Sequence, residues 1–450
     1  MNHKPTAAAQ NNIFTPLFLS LLVTEILSSL GQVTLTFALP LHLLNLTGSA
    51  SLYGLVIALA LIPAVALTPV GGAVADRLDK RRTMALLDFL TAGISLAYLL
   101  LSRSFDLVAL TIAAMMLAYG FHALYGPVVQ AWVPFIVNLG EHPHGDAQPG
   151  GKTHSSGKQE RERLTQATGI ISQTTSLTTM LGPIFAGVLL SFAGIVPVVI
   201  MAGAACLASS VWILLAARTP SSPAQAKAGG SAEGKAGQAL SHPLRLLLAD
   251  FAQAIRFLGG QRTLLVANVL VTFANLVFCA FVNVALPYIV TQELGLSNQL
   301  QGLAEGAISA GALAGAVVTS TKPGWFSMRL LPALIALSGL CLLPAALSMG
   351  LSAPARVSYL TLLLSLTVAM GLLQCVSVTI ISFEQTATPR QLVGKVIGVT
   401  MSLSMAAMPL GQALYGPLID HLPLPALMLA IAVLMAASSL FATRFARRVA

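Results

Sequence analysis

The sequence predicts an all-α polytopic membrane protein, with twelve transmembrane helices in two pseudo-symmetric six-helix halves. Three observations predict it. The 450 residues are 56% hydrophobic and only 9% charged, with a mean hydropathy of +0.82, whereas an ordinary soluble protein carries about 25% charged residues. Apolar runs long enough to cross a bilayer recur from one end to the other. Short motifs in the first half return in the second.

The runs lie near residues 14–44, 52–75, 83–101, 107–137, 164–191, 194–217, 263–290, 298–320, 330–349, 355–381, 395–419 and 424–442, here called spans 1 to 12. In hydrocarbon every backbone N–H and C=O needs an internal partner, so runs of this length are helices. The short alternating segments of an outer-membrane barrel are absent from the sequence. A polar tail over 1–13 precedes span 1, and the residues after 442 form a short basic tail. No cleavable signal is expected, because that tail is polar and span 1 is too long for a signal-peptide core.

Basic residues set the expected orientation. With both termini cytoplasmic, only Arg103 and Arg356 of the 24 Lys and Arg fall in outer loops, a steep positive-inside bias. The inner clusters include Lys80/Arg81/Arg82, Lys152/Lys158/Arg161/Arg163, Lys322/Arg329, Arg390/Lys395 and Arg444/Arg447/Arg448. The formal charge of +9 is therefore topological, and no nucleic-acid partner is expected. The lipid bilayer of the cell membrane is the expected surroundings.

The longest hydrophilic interval, 218–262, separates a first half (14–217) from a second (263–442). It begins as an Ala/Gly/Ser/Pro-rich linker. It then turns amphipathic, with Leu244, Leu247, Leu248, Phe251, Ile255 and Leu258 at helical spacing, and is expected along the inner membrane surface. At an offset of 229, Arg161, Gly169, Leu181, Gly182 and Gly187 align with Arg390, Gly398, Leu410, Gly411 and Gly416. Near the start of each half the offset is 247, placing Ala38-Leu39-Pro40 over Ala285-Leu286-Pro287. The difference requires extra residues in the first half, and the polar, glycine-rich stretch 141–158 within the 138–163 loop supplies them. Its His142, His144 and His154 lack ligand partners at ordered spacing, so a solvated insertion is expected rather than a metal site. The cysteines, Cys206, Cys279, Cys341 and Cys375, stand in spans at wide intervals, which argues against a disulfide framework. Neither a metal nor a cofactor is expected. Internal repeats enclosing a midplane site are the architecture of secondary transporters.

An ionisable side chain at membrane depth costs at least about 2.5–3.5 kcal/mol on insertion scales, which makes each a functional candidate. Glu25 lies well inside span 1, followed by Ser28, Ser29, Gln32 and Thr36 on nearly one face, which is expected to line a wet cavity. Span 7 carries Asn268, Thr272, Asn275, Cys279 and Asn283 at near-helical spacing. At the 247 offset Glu25 meets Thr272, Ser28 meets Asn275, Gln32 meets Cys279 and Thr36 meets Asn283. Paired stripes suit a shared pathway, or equally hydrogen bonds that hold the bundle together. Glu305 in span 8 is the second buried-carboxylate candidate, and His122, near Tyr119 and Tyr125, is a third titratable one. Gln173 in span 5, Gln374 in span 10, and Met401 and Met405 in span 11 complete the expected cavity, the methionines as a soft apolar surface or as plain packing. Glu25, Glu305 and His122 are thus the proton-coupling candidates.

The loop after span 2, Gly72-Ala-Val-Ala-Asp76-Arg77-Leu-Asp79-Lys80-Arg81-Arg82, resembles the signature loop of the major facilitator superfamily, with Asp79 where that pattern often has Gly. The stretches Phe37-Ala-Leu-Pro40, Leu46-Thr-Gly-Ser49, Arg161-Glu-Arg-Leu164 and Leu181-Gly-Pro-Ile-Phe-Ala-Gly187 resemble its macrolide-efflux-like branch of drug exporters. The resemblance covers about 430 residues. It implies that Asp76 and Arg77 belong to a cytoplasmic gating network locking the outward-facing state and that Gly72 allows spans 2 and 11 to approach; Arg81 and Asp88 are further candidates for the network, Asp88 equally as a surface-facing carboxylate. An anion at a helix N-terminus gains about 0.3–1 kcal/mol, so the latch is a small one. The matching loop of the second half, Lys322 to Arg329, lacks the Asp-Arg element.

The implied activity is secondary active transport, namely proton-coupled efflux of hydrophobic or amphipathic small molecules by alternating access, with protons as coupling ion and a monomer as the transport unit. No nucleotide-binding P-loop occurs in the sequence, and no catalytic nucleophile or haem motif suggests an enzyme. An importer or lipid-type facilitator of the same fold stays open, as does a transport-inactive membrane sensor.

Overall fold

The computed structural model describes residues 14–139, 154–216, 243–389 and 392–447. The N-terminal tail, most of the insertion, the first part of the central linker, Arg390 and the last three residues lie outside the described residues. Among the described residues, twelve helices are long and apolar enough to cross a membrane. They run Pro16–Thr47, Ala50–Arg77, Lys80–Leu101, Leu107–Leu139, His154–Ala193, Ile195–Ala216, Arg262–Glu293, Asn298–Thr321, Leu331–Gly350, Ala355–Ala387, Val393–His421 and Leu424–Arg447, and keep the names spans 1 to 12. Their outer faces carry large apolar side chains: Leu100, Leu215, Leu364 and Leu410 are each more than three-fifths exposed. That surface suits lipid and not water.

Local chemistry sets the ends. Thr15 caps span 1 by accepting the Phe18 N–H at 3.2 Å, Pro16 fills the first turn, where its missing N–H is no loss, and Gly48 closes the helix in the left-handed conformation at φ +66°. Asp79 answers the question its departure from the family pattern raises. It stands at φ −63°, where no glycine is needed, and its carboxylate accepts the Arg82 N–H at 3.0 Å as the N-cap of span 3.

The chain divides into two compact units, one comprising residues 1–218 with 290–306 and the other 219–289 with 307–450. The units differ from the expected halves at one place, because the end of span 7 and the start of span 8, residues 290–306, group with the first half. The reason is close backbone contact. A Cβ on Gly187 would collide with the Asn298 carbonyl, and one on Gly302 with the Pro183 carbonyl. Asn45 also donates to Asn298 Oδ1 at 2.7 Å.

In the first unit, span 2 packs along span 4, and span 6 lies against spans 1 and 3. Small residues allow this closeness: Gly31 abuts Cys206 and Ala202, and Gly203 abuts Ser95. Phe18, Met84, Tyr125, Trp132 and Ile213 form its core. In the second unit, span 9 packs on spans 10 and 12, and span 11 on span 7. The amphipathic linker segment is a helix over Pro243–Gly260. Its Ala254 and Leu258 are buried against Leu264, Val396 and Val399 of spans 7 and 11.

The repeat is visible in contacts. Gly182 of span 5 packs on Val33 of span 1, and Gly411 of span 11 packs on Ala280 of span 7. Both glycines are related by the 229 offset and both partners by the 247 offset. Span 7 nevertheless differs from span 1, since it contains π-helical turns over Asn275–Cys279 and Ile289–Glu293, whereas span 1 is α-helical throughout.

Candidate functional site: buried carboxylates

Span 1 turns its polar face into the first unit. Glu25, Ser28, Ser29 and Gln32 are all buried, and Ser28 and Gln32 border a small cavity. The physical reason is that spans 3, 4, 5 and 6 supply groups that satisfy it. Ser28 donates to Asp88 Oδ1 at 2.6 Å, and Ser209 of span 6 donates to Asp88 Oδ2 at 2.6 Å. Ser29 and Thr175 donate to Glu25 Oε1 at 3.2 and 3.1 Å. Gln32 donates to the Ala118 carbonyl at 3.1 Å.

Asp88 is 3% exposed, and its hydrogen bonds, among the described residues, go to Ser28 and Ser209. Expected as an extension of the loop after span 2, it has Glu25 within electrostatic reach. Glu25 Oε2 is buried without a hydrogen-bond partner, as is the Tyr125 hydroxyl. Neither acid is ion-paired among the described residues. Buried carboxylates in such surroundings are costly as anions. Ser28, Gln32, Asp88, Phe121, His122 and Tyr125 border a small cavity between spans 1, 3, 4 and 6. His122 is exposed.

Glu305 is half-buried and accepts from Gln301 at 3.1 Å, with Tyr53 and Tyr119 within electrostatic reach in the same unit. It is not part of the Glu25–Asp88 cluster. Gln173 is exposed on span 5 and Thr36 is half-buried.

The span 7 stripe separates by environment. Asn268 is buried, Thr272 and Asn275 are half-buried, and Asn283 is exposed. Asn275 bonds back to the Val271 carbonyl at 3.0 Å. Gln374 is half-buried on span 10, and Met401 and Met405 are exposed on span 11. Among the loop residues, Arg81 donates to the Ile213 carbonyl at 3.0 Å and to Leu214 O. A cation on the last carbonyls of span 6 is favourable there. The side chains of Gly72, Asp76 and Arg77 lie outside the described residues, as do those of His142, His144 and His154.

One carboxylate escaped the sequence reading. Glu384 was counted as outside span 10, yet that helix runs on to Ala387 and Glu384 is 0% exposed. Asn268 and Thr400 donate to its Oε1 at 2.8 and 2.6 Å. The available signal was Pro389: a helix commonly ends just before a proline, not where its apolar run fades.

A repeated six-helix architecture with buried acids and packed polar stripes is that of a multi-pass membrane transporter. The Major Facilitator Superfamily profile matches residues 21–412, and the chain belongs to that superfamily, a family of transporters and not of enzymes. Its relatives include the multidrug efflux pump Tap of Mycobacterium tuberculosis (strain ATCC 25618 / H37Rv), 24% identical over 435 residues, covering 95% of this chain and 93% of that one. The pump of the same name from Mycolicibacterium fortuitum is 25% identical over 432 residues, with 93% of each chain covered. Among solved structures, a mutant of the peptide transporter POT bound to alafosfalin aligns with a TM-score of 0.66 at 17% identity, over 100% of this chain and 98% of that one. A D-xylose-proton symporter aligns at 0.65 and 14% identity, over 95% and 96%. These likenesses show the fold.

Proposed function

We propose that the protein exports hydrophobic or amphipathic small molecules in exchange for protons, by alternating access, with its termini on the cytoplasmic side. The observation that carries the reading is two carboxylates buried in the first unit within electrostatic reach of one another, Glu25 and Asp88, held by hydroxyl groups and by no cation among the described residues. Such a pair is stable when protons neutralise it and unfavourable when both acids are charged. It therefore binds and gives up protons as its exposure changes. His122 borders the same cavity and serves as the relay to it.

The export direction rests on the relatives named multidrug efflux pumps. In this reading the half-buried amides of span 7 and the exposed Met401 and Met405 of span 11 contact substrate. Methionine's flexible, polarisable side chain suits ligands of varied shape. Glu305, with its neighbouring tyrosines, is a second proton-binding group. Gly72, Asp76 and Arg77 act as the gating loop by resemblance to the family, and a monomer is the transport unit.

The test is dye or drug efflux in proteoliposomes under an imposed pH gradient. Wild-type flux rises with the gradient, and Glu25→Gln abolishes that response. Flux indifferent to the gradient, or full coupling in Glu25→Gln, overturns the proposal.

A further inference from the structure

We infer that the turn between spans 8 and 9 is a docking surface for an anionic phospholipid headgroup, seated on Lys322, Trp325 and Arg329. Span 8 ends at Thr321 and span 9 begins at Leu331. The turn therefore lies where hydrocarbon gives way to water.

Its composition differs from that of the matching loop in the first half. There Asp76 and Asp79 accompany the basic residues, whereas Lys322 to Arg329 contains no acid. Arg81 of the first loop is engaged by the carbonyls that end span 6. Among the described residues, the side chains of Lys322 and Arg329 have no such acceptor.

The turn presents a tryptophan with a cation on its face. Pro323–Trp325 form one 3-10 turn, in which the Trp325 N–H donates to the Lys322 carbonyl at 3.1 Å. The Lys322 ammonium stands over the indole ring, 4.0 Å from its centroid, a cation–π contact. Trp325 is 65% exposed, and Arg329 is exposed four residues on. An indole left bare at a membrane boundary belongs at the headgroup level, because its ring is apolar and its N–H is a hydrogen-bond donor. The two cations offer charge to a phosphodiester, and the ring offers an apolar face to the glycerol and upper chains.

Charge complementarity selects the lipid. Span 7 begins at the membrane face where span 8 ends. Among the described residues, the exposed charged side chains at that end of the second unit are Arg256, Arg262, Lys322 and Arg329, all cations. Glu384 is buried, and Lys395 donates to Gln253 Oε1 at 2.8 Å. A zwitterionic headgroup brings no net charge to this field, and an anionic one does. A soluble phosphate brings the charge without the chains that the indole meets.

The test uses purified full-length protein in phosphatidylcholine nanodiscs, doped with phosphatidylglycerol or phosphatidylcholine brominated high on the acyl chains. Bromine quenches tryptophan at short range, and the Trp325 signal is the difference between wild type and Trp325→Phe. Brominated phosphatidylglycerol is expected to quench that signal at a lower mole fraction than the brominated zwitterion. A cation near an anionic surface contributes about fivefold to binding. Lys322→Gln and Arg329→Gln are therefore each expected to raise the half-quenching mole fraction of phosphatidylglycerol about fivefold. Arg103→Gln, in the loop after span 3, is expected to leave it unchanged. Equal quenching by the two lipids overturns the inference, and so does a loss in Arg103→Gln equal to that in the other two variants. A preference for phosphatidylglycerol that neither Lys322→Gln nor Arg329→Gln weakens overturns it as well. Displacement by inorganic phosphate at constant ionic strength would give the surface to a soluble anion and remove the lipid as its occupant. Quenching is read without substrate or flux, so this result and the export proposal stand or fall separately.

Discussion

Tyr415 of span 11 donates its hydroxyl hydrogen to the Val277 carbonyl of span 7 at 2.6 Å, across a helix pair that Gly411 and Ala280 bring close together. Val277 lies inside the π-helical turn Asn275–Cys279. A wider turn disturbs the regular backbone ladder, and the tyrosine hydroxyl supplies a donor at that point. Its ring also meets Phe281 edge-on, with centroids 5.4 Å apart.

Tyr415→Phe keeps the ring contact and removes only the donor. The expected loss is about 0.5–1.5 kcal/mol of stability. It is read as a lower unfolding temperature in nanodiscs, and an unchanged temperature would show the bond to be dispensable.

Gly411→Val tests the span 7–11 contact from the other side. Its new side chain would meet Ala280 and the Leu276 carbonyl, which is backbone and cannot step aside. Overpacking of this kind costs about 1–3 kcal/mol. Gly398→Ala, on the same span with nothing within 4 Å of its added Cβ, is the control expected to unfold at the wild-type temperature or above.

Ser209→Ala removes one of the two hydroxyls on Asp88. A buried carboxylate oxygen left unsatisfied costs about 1–3 kcal/mol or more. Under the proposed mechanism, Asp88→Asn also abolishes the response of efflux to an imposed pH gradient while substrate binding persists. Binding by fluorescence and flux by proteoliposome assay separate the two effects.

Asp79→Ala is expected to cost about 0.5–2 kcal/mol through loss of the span 3 cap, Asp79→Asn almost nothing, and Asp79→Gly a few tenths. Thermal unfolding ranks the three. Equal behaviour of Ala and Asn would contradict the capping role.

The spans were legible because bilayer crossing demands long apolar runs, and the repeat because Gly182 and Gly411 occupy the same contact in each half. Hydropathy is blind to partners, however. That Asp88 bonds to Ser209, 121 positions away, leaves no trace in either helix's periodicity. Glu384 was missed for a related reason: its polar neighbours end the apolar run nearly two turns before the helix ends at Ala387. Its partners Asn268 and Thr400 come from spans 7 and 11, and no periodicity within span 10 points to them. The grouping of 290–306 with the first half depends on glycine-to-carbonyl contacts, which composition does not reveal.

The π-helical turn in span 7 has one more consequence. An additional residue in a turn advances the helix by about 100°. Beyond it, the pairs Val33–Ala280 and Ala38–Ala285 keep their common numbering. Before it, the matching of Glu25 with Thr272 slips by one position, so these two side chains point along different bearings in their respective halves. The duplicated gene product has thus been clocked out of step along part of a single helix. In span 1 Glu25 is buried, while in span 7 Thr272 and Asn275 are half-buried.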